Sequence, residues 1–596
     1  MNSKPLSTRT CLLLILFFGL AAYGNTFTGT FQFDDIFGIS ENRSLYPLNL
    51  GRLWHDSPLR SVGNLSFVFN IYLAGLTPWS FHVLNFLIHL FTSFIVFKLT
   101  RSILNTPAVK DWVPPSQQNL FALVVALLFA THPIQTQAVT YIVQRLTSLA
   151  TLFYLATLWM YLKVRLENTR RYGAVFLLML AAMLTKEISF TLPFAILLAE
   201  LFFFPVSEKE SLGKKLLRWI PFGAFLLVIP SLLFMHSYLL TRMGGSIKIL
   251  PTLAHGISRW DYLLTQFRVE RTYLRLLFFP VDQRLMYDYR LSSGWGDLDS
   301  WAAFSLLCGV LILALAFLKK NRLLSFGVLW FFLTLSVESS IIPLPHCIFE
   351  HRLYLPMFGF ALFLTSLLWM LSRSVKIFTV ISLTLAVLFS SMAYARNEVW
   401  KSVLSLSLDS VKKSPHMGIS YAGLADAYND ELGDYRTAAL YYEKALKLGF
   451  VTPSVYHYLS RAYARMGDRE KSLHFQKLVA SVSNRERNLI FPDSHALALA
   501  EKGLDLEVVE TLKKSIEGSP YNPLLFIQLG ETYLKMHREN EAALSFRQAI
   551  NADPLYVGGY NALALFYEKK GDKQKAVDVM VEYLKCKRMH KPLFGN

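Results

Sequence analysis

Ahead of residue 400 the chain alternates apolar runs of about 18 to 22 residues with short polar breaks; beyond residue 400 no such run occurs. A helix of that length crosses the hydrocarbon of a bilayer. The runs lie near residues 10–26, 79–98, 119–131, 146–164, 172–186, 188–205, 219–239, 300–318, 323–340, 354–371 and 376–394, so the pattern predicts about eleven transmembrane helices. Lysine and arginine concentrate in alternate loops: Arg101 and Lys110; Lys163, Arg165, Arg170 and Arg171; Lys214, Lys215 and Arg218; Lys319, Lys320 and Arg322; Arg373 and Lys376. Cytoplasmic loops carry that excess. The N-terminus is then cytoplasmic, and the residues after 400 lie on the far side of the membrane.

Two segments qualify this count. Residues 1–24 read either as a first helix or as a cleaved signal peptide, and both leave the chain on the far side. Residues 260–280 are long enough for a twelfth span, but Arg268, Glu270 and Arg271 would each cost about 2.5–3.5 kcal/mol facing lipid. An interfacial helix with Arg268, Arg271 and Arg275 on one face is the reading adopted.

From about residue 415 the pattern changes to a repeat of about 34 residues, the length of a tetratricopeptide helix pair. The fullest copy carries Phe526, Leu529, Gly530, Tyr533, Ala542, Phe546, Ala549 and Pro554, and another carries Tyr567, Gly571 and Ala576. Looser copies run through Leu424, Tyr428, Gly433 and Ala445 and through Tyr463 and Gly467, with a degenerate one between 489 and 521. The fold class is therefore all-α: a polytopic membrane bundle over 1–400 with a first outer loop at about 27–78, then an extracytoplasmic α-solenoid over 401–596.

Composition agrees with a membrane protein, with 53% apolar residues and 14% aromatics. The net charge of +18 resides largely in the loop clusters, which argues against a nucleic-acid partner. Cys11, Cys308, Cys347 and Cys586 are too scattered for a disulfide framework or a metal-binding spacing.

Ionisable residues near apolar spans need partners or a water-filled cavity, so they mark candidate sites. Five clusters stand out: Asp34 and Asp35; His82, Asn85 and His89; His132 and Arg145; Lys186 and Glu187; and Glu350, His351 and Arg352. On the predicted topology four lie at the outer ends of their spans or in the adjoining loops, and the fifth enters its span from that side. Structural roles compete at each: a cap or turn for the aspartates, interhelical bonds for the histidines, ion pairs of Lys186 and Glu187 with each other's neighbours, and a snorkelling anchor for Arg352.

Acidic residues in an outer loop with cations around them suit transfer of a group from a lipid-linked phosphate to a hydroxyl. A carboxylate takes the proton of the attacking hydroxyl, and the departing phosphate needs positive charge rather than a general acid. His132, Arg145, Lys186, His351 and Arg352 are the candidates for that charge, supported by Glu187, Glu350 and His82. The residues demand no cofactor, and a divalent cation is compatible with them.

A first helix followed by an outer loop bearing a DD pair resembles the GT-C glycosyltransferases. More narrowly, FDDIFGISEN, THPIQTQAVTYIVQR, TKEISFTLP and FEHRLYLP, in that order and ahead of tetratricopeptide repeats, resemble the transmembrane and tetratricopeptide-repeat-containing O-mannosyltransferases and their bacterial relatives. The resemblance covers essentially the whole chain. It implies a polyprenyl-phosphate sugar donor, a protein or peptide acceptor presented by the repeats, and Asp34 or Asp35 as the catalytic residue. Where that family commonly has an acidic residue this chain has Gln137. Two other readings stay open: transfer to a polysaccharide or lipid acceptor, and an inactive membrane-anchored scaffold. Sequons at Asn42 and Asn64 beside the DD pair would invite glycosylation in an endoplasmic reticulum lumen, which favours a bacterial inner membrane with periplasmic repeats.

Overall fold

A computed structural model describes residues 5–40, 42, 44–46, 48–169, 171–205, 223, 225–232, 258–478, 505–518 and 520–589. Among these the chain is helical throughout, with no strand. The predicted span at 219–239, Arg170, Lys214, Lys215, Arg218 and most of the degenerate repeat lie wholly or largely outside the described residues.

Each of the other predicted apolar runs falls on a helix, from Thr8–Tyr23 and Pro78–Leu104 through Arg145–Glu167 to Val375–Val399. The expected eleven spans are not reproduced as a count. Four described helices are long and apolar enough to cross a membrane, or five if the pair Gln118–Thr131 and Pro133–Val139, bent by 49°, is one span. The shortfall has a physical cause. Apolar helices such as Thr8–Tyr23, 16 residues long, reach only ~24 Å, and several runs stop early because their outer ends turn into polar 3₁₀ segments, as at Glu187–Thr191 and Glu350–Leu353.

The bundle core joins Thr8–Tyr23, Pro78–Leu104, Gln118–Thr131 and Val375–Val399 through residues such as Ile15, Phe97, Phe121, Leu128 and Phe389. Gly327 and Gly359 bring Arg322–Leu335 and Pro356–Leu371 into backbone contact, since a methyl on either would strike the other helix. Small residues permit such an approach where water supplies no driving force.

The segment 260–280 forms the helix Arg259–Phe278. Arg268 and Arg271 do not simply line a polar face: Arg268 is buried, 3.7 Å from Asp297, and Arg271 binds Asp299 at 2.7 Å. The other side packs into the bundle, with the Tyr273 hydroxyl donating to Phe349 O at 2.9 Å.

The repeats form antiparallel pairs: Gly418–Asp430 with Tyr435–Lys447, Pro523–Lys535 with Glu539–Ala552, and Val557–Lys569 with Lys573–Met589. Gly433, Gly467 and Gly571 turn the chain at φ of 65°, 83° and 79°, a conformation that costs glycine little. Gly530 lets the Phe546 ring fill the groove between its two helices.

The solenoid is anchored on the bundle. Arg396 binds Asp409 at 2.6 Å, Lys413 Nζ donates to Gln283 O at 2.7 Å, and the Ser414 hydroxyl donates to Met286 O at 2.7 Å. It meets the first outer loop twice. Phe33 packs against Gly423, and farther along Arg52 approaches Asp553 at 3.8 Å while His55 lies edge-on to Tyr521.

Candidate functional site

The first outer loop is more ordered than a sequence of turns and sequons suggests. It contains a π turn Ile36–Ser40 and the helices Leu50–Asp56 and Ser61–Ala74. Asn64 is buried in the latter, so the folded chain does not offer that sequon for glycosylation, which removes part of the argument that favoured a bacterial membrane. Phe31 packs on Phe81, whereas Phe37 is 73% exposed and does not hold the loop against the bundle.

The structure separates the two aspartates. Asp35 is wholly buried and its carboxylate accepts the N–H of Gln32 at 2.9 Å and of Val143 at 2.7 Å. Burial pushes its carboxyl up to about 8, against these bonds. Asp34 is exposed. Its N–H donates to the Tyr141 hydroxyl at 2.8 Å, and burial, with the nearby charges of Asp35 and Asp34, pushes that hydroxyl's pKa up. One carboxylate staples the loop and the other faces outward. Phe33, just before them, has φ of 44°, a left-handed conformation that costs a non-glycine residue about 1–3 kcal/mol and persists only where its surroundings hold it.

Charged side chains gather around Glu338, next to His346. Burial holds the pKa of His346 below the usual value, with the charge of Asp34 raising it and that of Arg352 lowering it. Arg352 donates to Cys347 O and His346 O, both at 2.8 Å, and its Nε lies 4.0 Å from Glu338 Oε1. Lys186 donates to Glu338 at 3.2 Å and to the Thr147 hydroxyl at 2.9 Å. His351 faces the charges of both cations. Arg60 binds Glu187 through two bonds, at 3.0 and 3.2 Å, and also feels Glu338.

The structure thus brings Lys186 and Arg352 together on Glu338 with His351 facing both cations, and it links Asp34 to them through its charge on His346; it places other predicted residues elsewhere. Arg145 is wholly buried, bonded to Asn85 Oδ1 and Asn70 Oδ1 at 2.6 Å each and to Ser66 O and Phe81 O at 3.0 Å each, and packed against the stacked rings of Phe67 and Phe81. Its donors tie helices together and leave little for a phosphate. His132 accepts from Ile134 N and meets Leu277 O, so both ring nitrogens are spent on backbone. His82 packs closely against Gly29, and neither of its buried ring nitrogens meets a hydrogen-bond partner among the described residues. Glu350 accepts from Gln283, Arg284 N and the Tyr287 hydroxyl, which fixes the 281–290 segment. Glu187 pairs with Arg60 and Lys186 with Glu338, so each of these adjacent residues has its own counterion.

Sequence reasoning missed Arg60, Tyr141, Glu338 and His346. Glu338, an acid at the end of an apolar run, meets the same test that singled out Lys186. Gln137 accepts from the His351 N–H at 2.7 Å and lies 3.1 Å from its Nδ1, work that a carboxylate could also do. Among the described residues no group of three or more His, Cys, Asp or Glu is placed to hold a metal ion, so these residues do not form a protein cage for a divalent cation.

Comparison with known proteins bears on the class. The tetratricopeptide repeat model matches residues 419–448 and 525–554. The chain is 23% identical to protein O-mannosyl-transferase TMTC3 of Homo sapiens over 89% of its own length and 63% of that relative's. For TMTC3 of Mus musculus the figures are 24%, 97% and 64%. Protein O-mannosyl-transferase TMTC2 of Mus musculus is 32% identical over 26% of this chain and 19% of its own. The chain thus spans less than two thirds of the curated relatives' length. Among solved structures, MamA is 19% identical with a TM-score of 0.18, covering 28% of this chain and 95% of that one. The resemblance read from the four motifs and the repeats therefore holds along most of the chain: it is similar to the O-mannosyl-transferases of the TMTC group.

Proposed function

We propose that this protein is a membrane glycosyltransferase that moves a mannose-like sugar from a polyprenyl-phosphate donor to a Ser or Thr hydroxyl of an exported protein presented by the repeats. The observation that supports the reading is the group Lys186, Glu338 and Arg352, with the charge of Asp34 acting on the neighbouring His346, in a chain similar to named protein O-mannosyl-transferases. Asp34 takes the acceptor's proton as the hydroxyl oxygen bonds to C1 of the sugar. The C1–O bond to phosphate breaks, its electron pair stays on the polyprenyl phosphate, and C1 inverts. Lys186 and Arg352 stabilise the phosphate's charge, with His351 beside them. Glu338 is their counterion before the donor arrives and gives way to the phosphate.

The bundle sits in a bacterial inner membrane or the endoplasmic reticulum membrane, with the repeats outside the cytoplasm. The test is transfer by the purified full chain in nanodiscs, supplied with a panel of polyprenyl-phosphate sugars and a peptide rich in Ser and Thr. A peptide product whose sugar is released by β-elimination supports the reading. Product on a lipid or polysaccharide alone favours the alternative acceptor, and no binding to any donor in the panel favours an inactive scaffold.

A further inference from the structure

We propose that the repeat domain positions the catalytic loop directly, through the contact of Phe33 with Gly423. This rests on the reading of Asp34 as the base. The bundle fixes Asp34 from one side: Tyr141 holds its N–H at 2.8 Å, the Tyr141 ring lies 5.3 Å from that of Trp400, and Asp35 staples the following turn to Val143. From the other side the holding residue is Phe33. Its φ of 44° is not a conformation the residue adopts unaided, so tertiary contacts must maintain it. The ring sits in a small apolar cluster that joins the bundle residues Tyr141, Leu285 and Trp400 to Leu406, Met417 and Ile419.

Gly423 is the place where a repeat helix admits that ring. It lies inside Gly418–Asp430, where alanine would ordinarily favour the helix. A methyl there would stand 3.3 Å from Phe33 Cζ and 3.3 Å from Ser407 Oγ. The added branches of valine would have to displace the ring, and Asp34 follows Phe33 in the chain. Phe33 and Gly423 are thus positioning residues: the repeats hold the acceptor and also set the carboxylate that deprotonates it. The second contact, of Arg52 and His55 with Asp553 and Tyr521, holds the far part of the solenoid to the same loop.

The experiment uses the full chain in nanodiscs, with Gly423→Val, Phe33→Leu and the double variant. Two readouts are taken: hydrogen exchange of the loop around Asp34, and turnover with undecaprenyl-phosphate mannose and a Ser/Thr-rich peptide. Gly423→Val is expected to speed exchange and to lower kcat about 10- to 100-fold with acceptor KM unchanged. Shortening the ring in the double variant is expected to restore both readouts. A double variant as impaired as Gly423→Val, including failure of both to fold, overturns the proposal, as does slow exchange in Gly423→Val. Asp34→Asn separates the two readings: full turnover there removes the base, while rescue of exchange still supports the contact.

Discussion

Arg145 is the residue on which the sequence-based and structural readings diverge most, since a cation beside an apolar span suits either a donor phosphate or a helix junction. Arg145→Met keeps length and removes the donors. Four buried acceptors, Asn85 Oδ1, Asn70 Oδ1, Ser66 O and Phe81 O, lose their partner. At about 1–3 kcal/mol each the losses bound the effect at about 4–12 kcal/mol. Relief from burying the guanidinium offsets part of this, because its desolvation costs several kcal/mol, and breaking such an arrangement from one side typically leaves a net loss of about 3–5 kcal/mol. Arg145→Lys keeps the charge without the planar fork and falls between. The assay is thermal unfolding of the detergent-solubilised chain by tryptophan fluorescence, paired with donor binding below the transition. The expected outcome is a midpoint lowered by several degrees in Arg145→Met with donor affinity retained. Unchanged stability with lost donor affinity would refute the structural assignment and restore the phosphate-binding one.

Three further outcomes follow from the same geometry. Burial raises the Asp35 carboxyl from 3.8 to about 8, so between these values the folded chain holds a proton that the unfolded chain has released; stability falls as pH rises through that window, by at most about 1.4 kcal/mol per unit. The slope of midpoint against pH should flatten there in Asp35→Asn, and equal slopes would count against it. Lys186→Ala should weaken binding of polyprenyl-phosphate mannose about 10-fold or more, as loss of a charge-assisted contact does, while Glu338→Gln, by freeing the two cations, should strengthen it. Titration calorimetry in nanodiscs checks both, and weaker binding in Glu338→Gln would mean that this carboxylate aids the donor. A C-terminal alkaline phosphatase fusion should be active and a green fluorescent protein fusion dark if the repeats are extracytoplasmic; the reverse pattern would place them in the cytoplasm.

What the sequence made legible followed from periodicity and spacing. Apolar runs located the helices of the bundle because burial selects such runs, and the 34-residue repeat located the turns at Gly433, Gly467 and Gly571, where only φ above zero closes the pair. The helix Ser61–Ala74 was hidden because it is apolar but too short for a span, in a loop judged by its turns. The charged residues were legible as a set and not as partners. Composition identified Lys186 and Arg352, but their joint counterion Glu338 is 152 residues from Lys186 in sequence, and pairing across that separation depends on how the helices pack. The division between Asp34 and Asp35 has the same origin. Adjacent, identical residues differ here because the N–H of Val143, 108 positions away, claims one of them and the Tyr141 hydroxyl meets the backbone of the other.

The central claim is that Asp34 is the base and Asp35 its structural neighbour, and the most direct measurement is turnover of Asp34→Asn and Asp35→Asn with donor binding followed in parallel. General-base removal costs about 100- to 10,000-fold, so Asp34→Asn should lose that much turnover while binding donor normally and unfolding at the wild-type midpoint. Asp35→Asn, which puts a neutral amide where burial already holds the carboxyl protonated at neutral pH, should keep most of its turnover. Full turnover in Asp34→Asn, or a dead Asp35→Asn enzyme of wild-type stability beside it, would contradict the account.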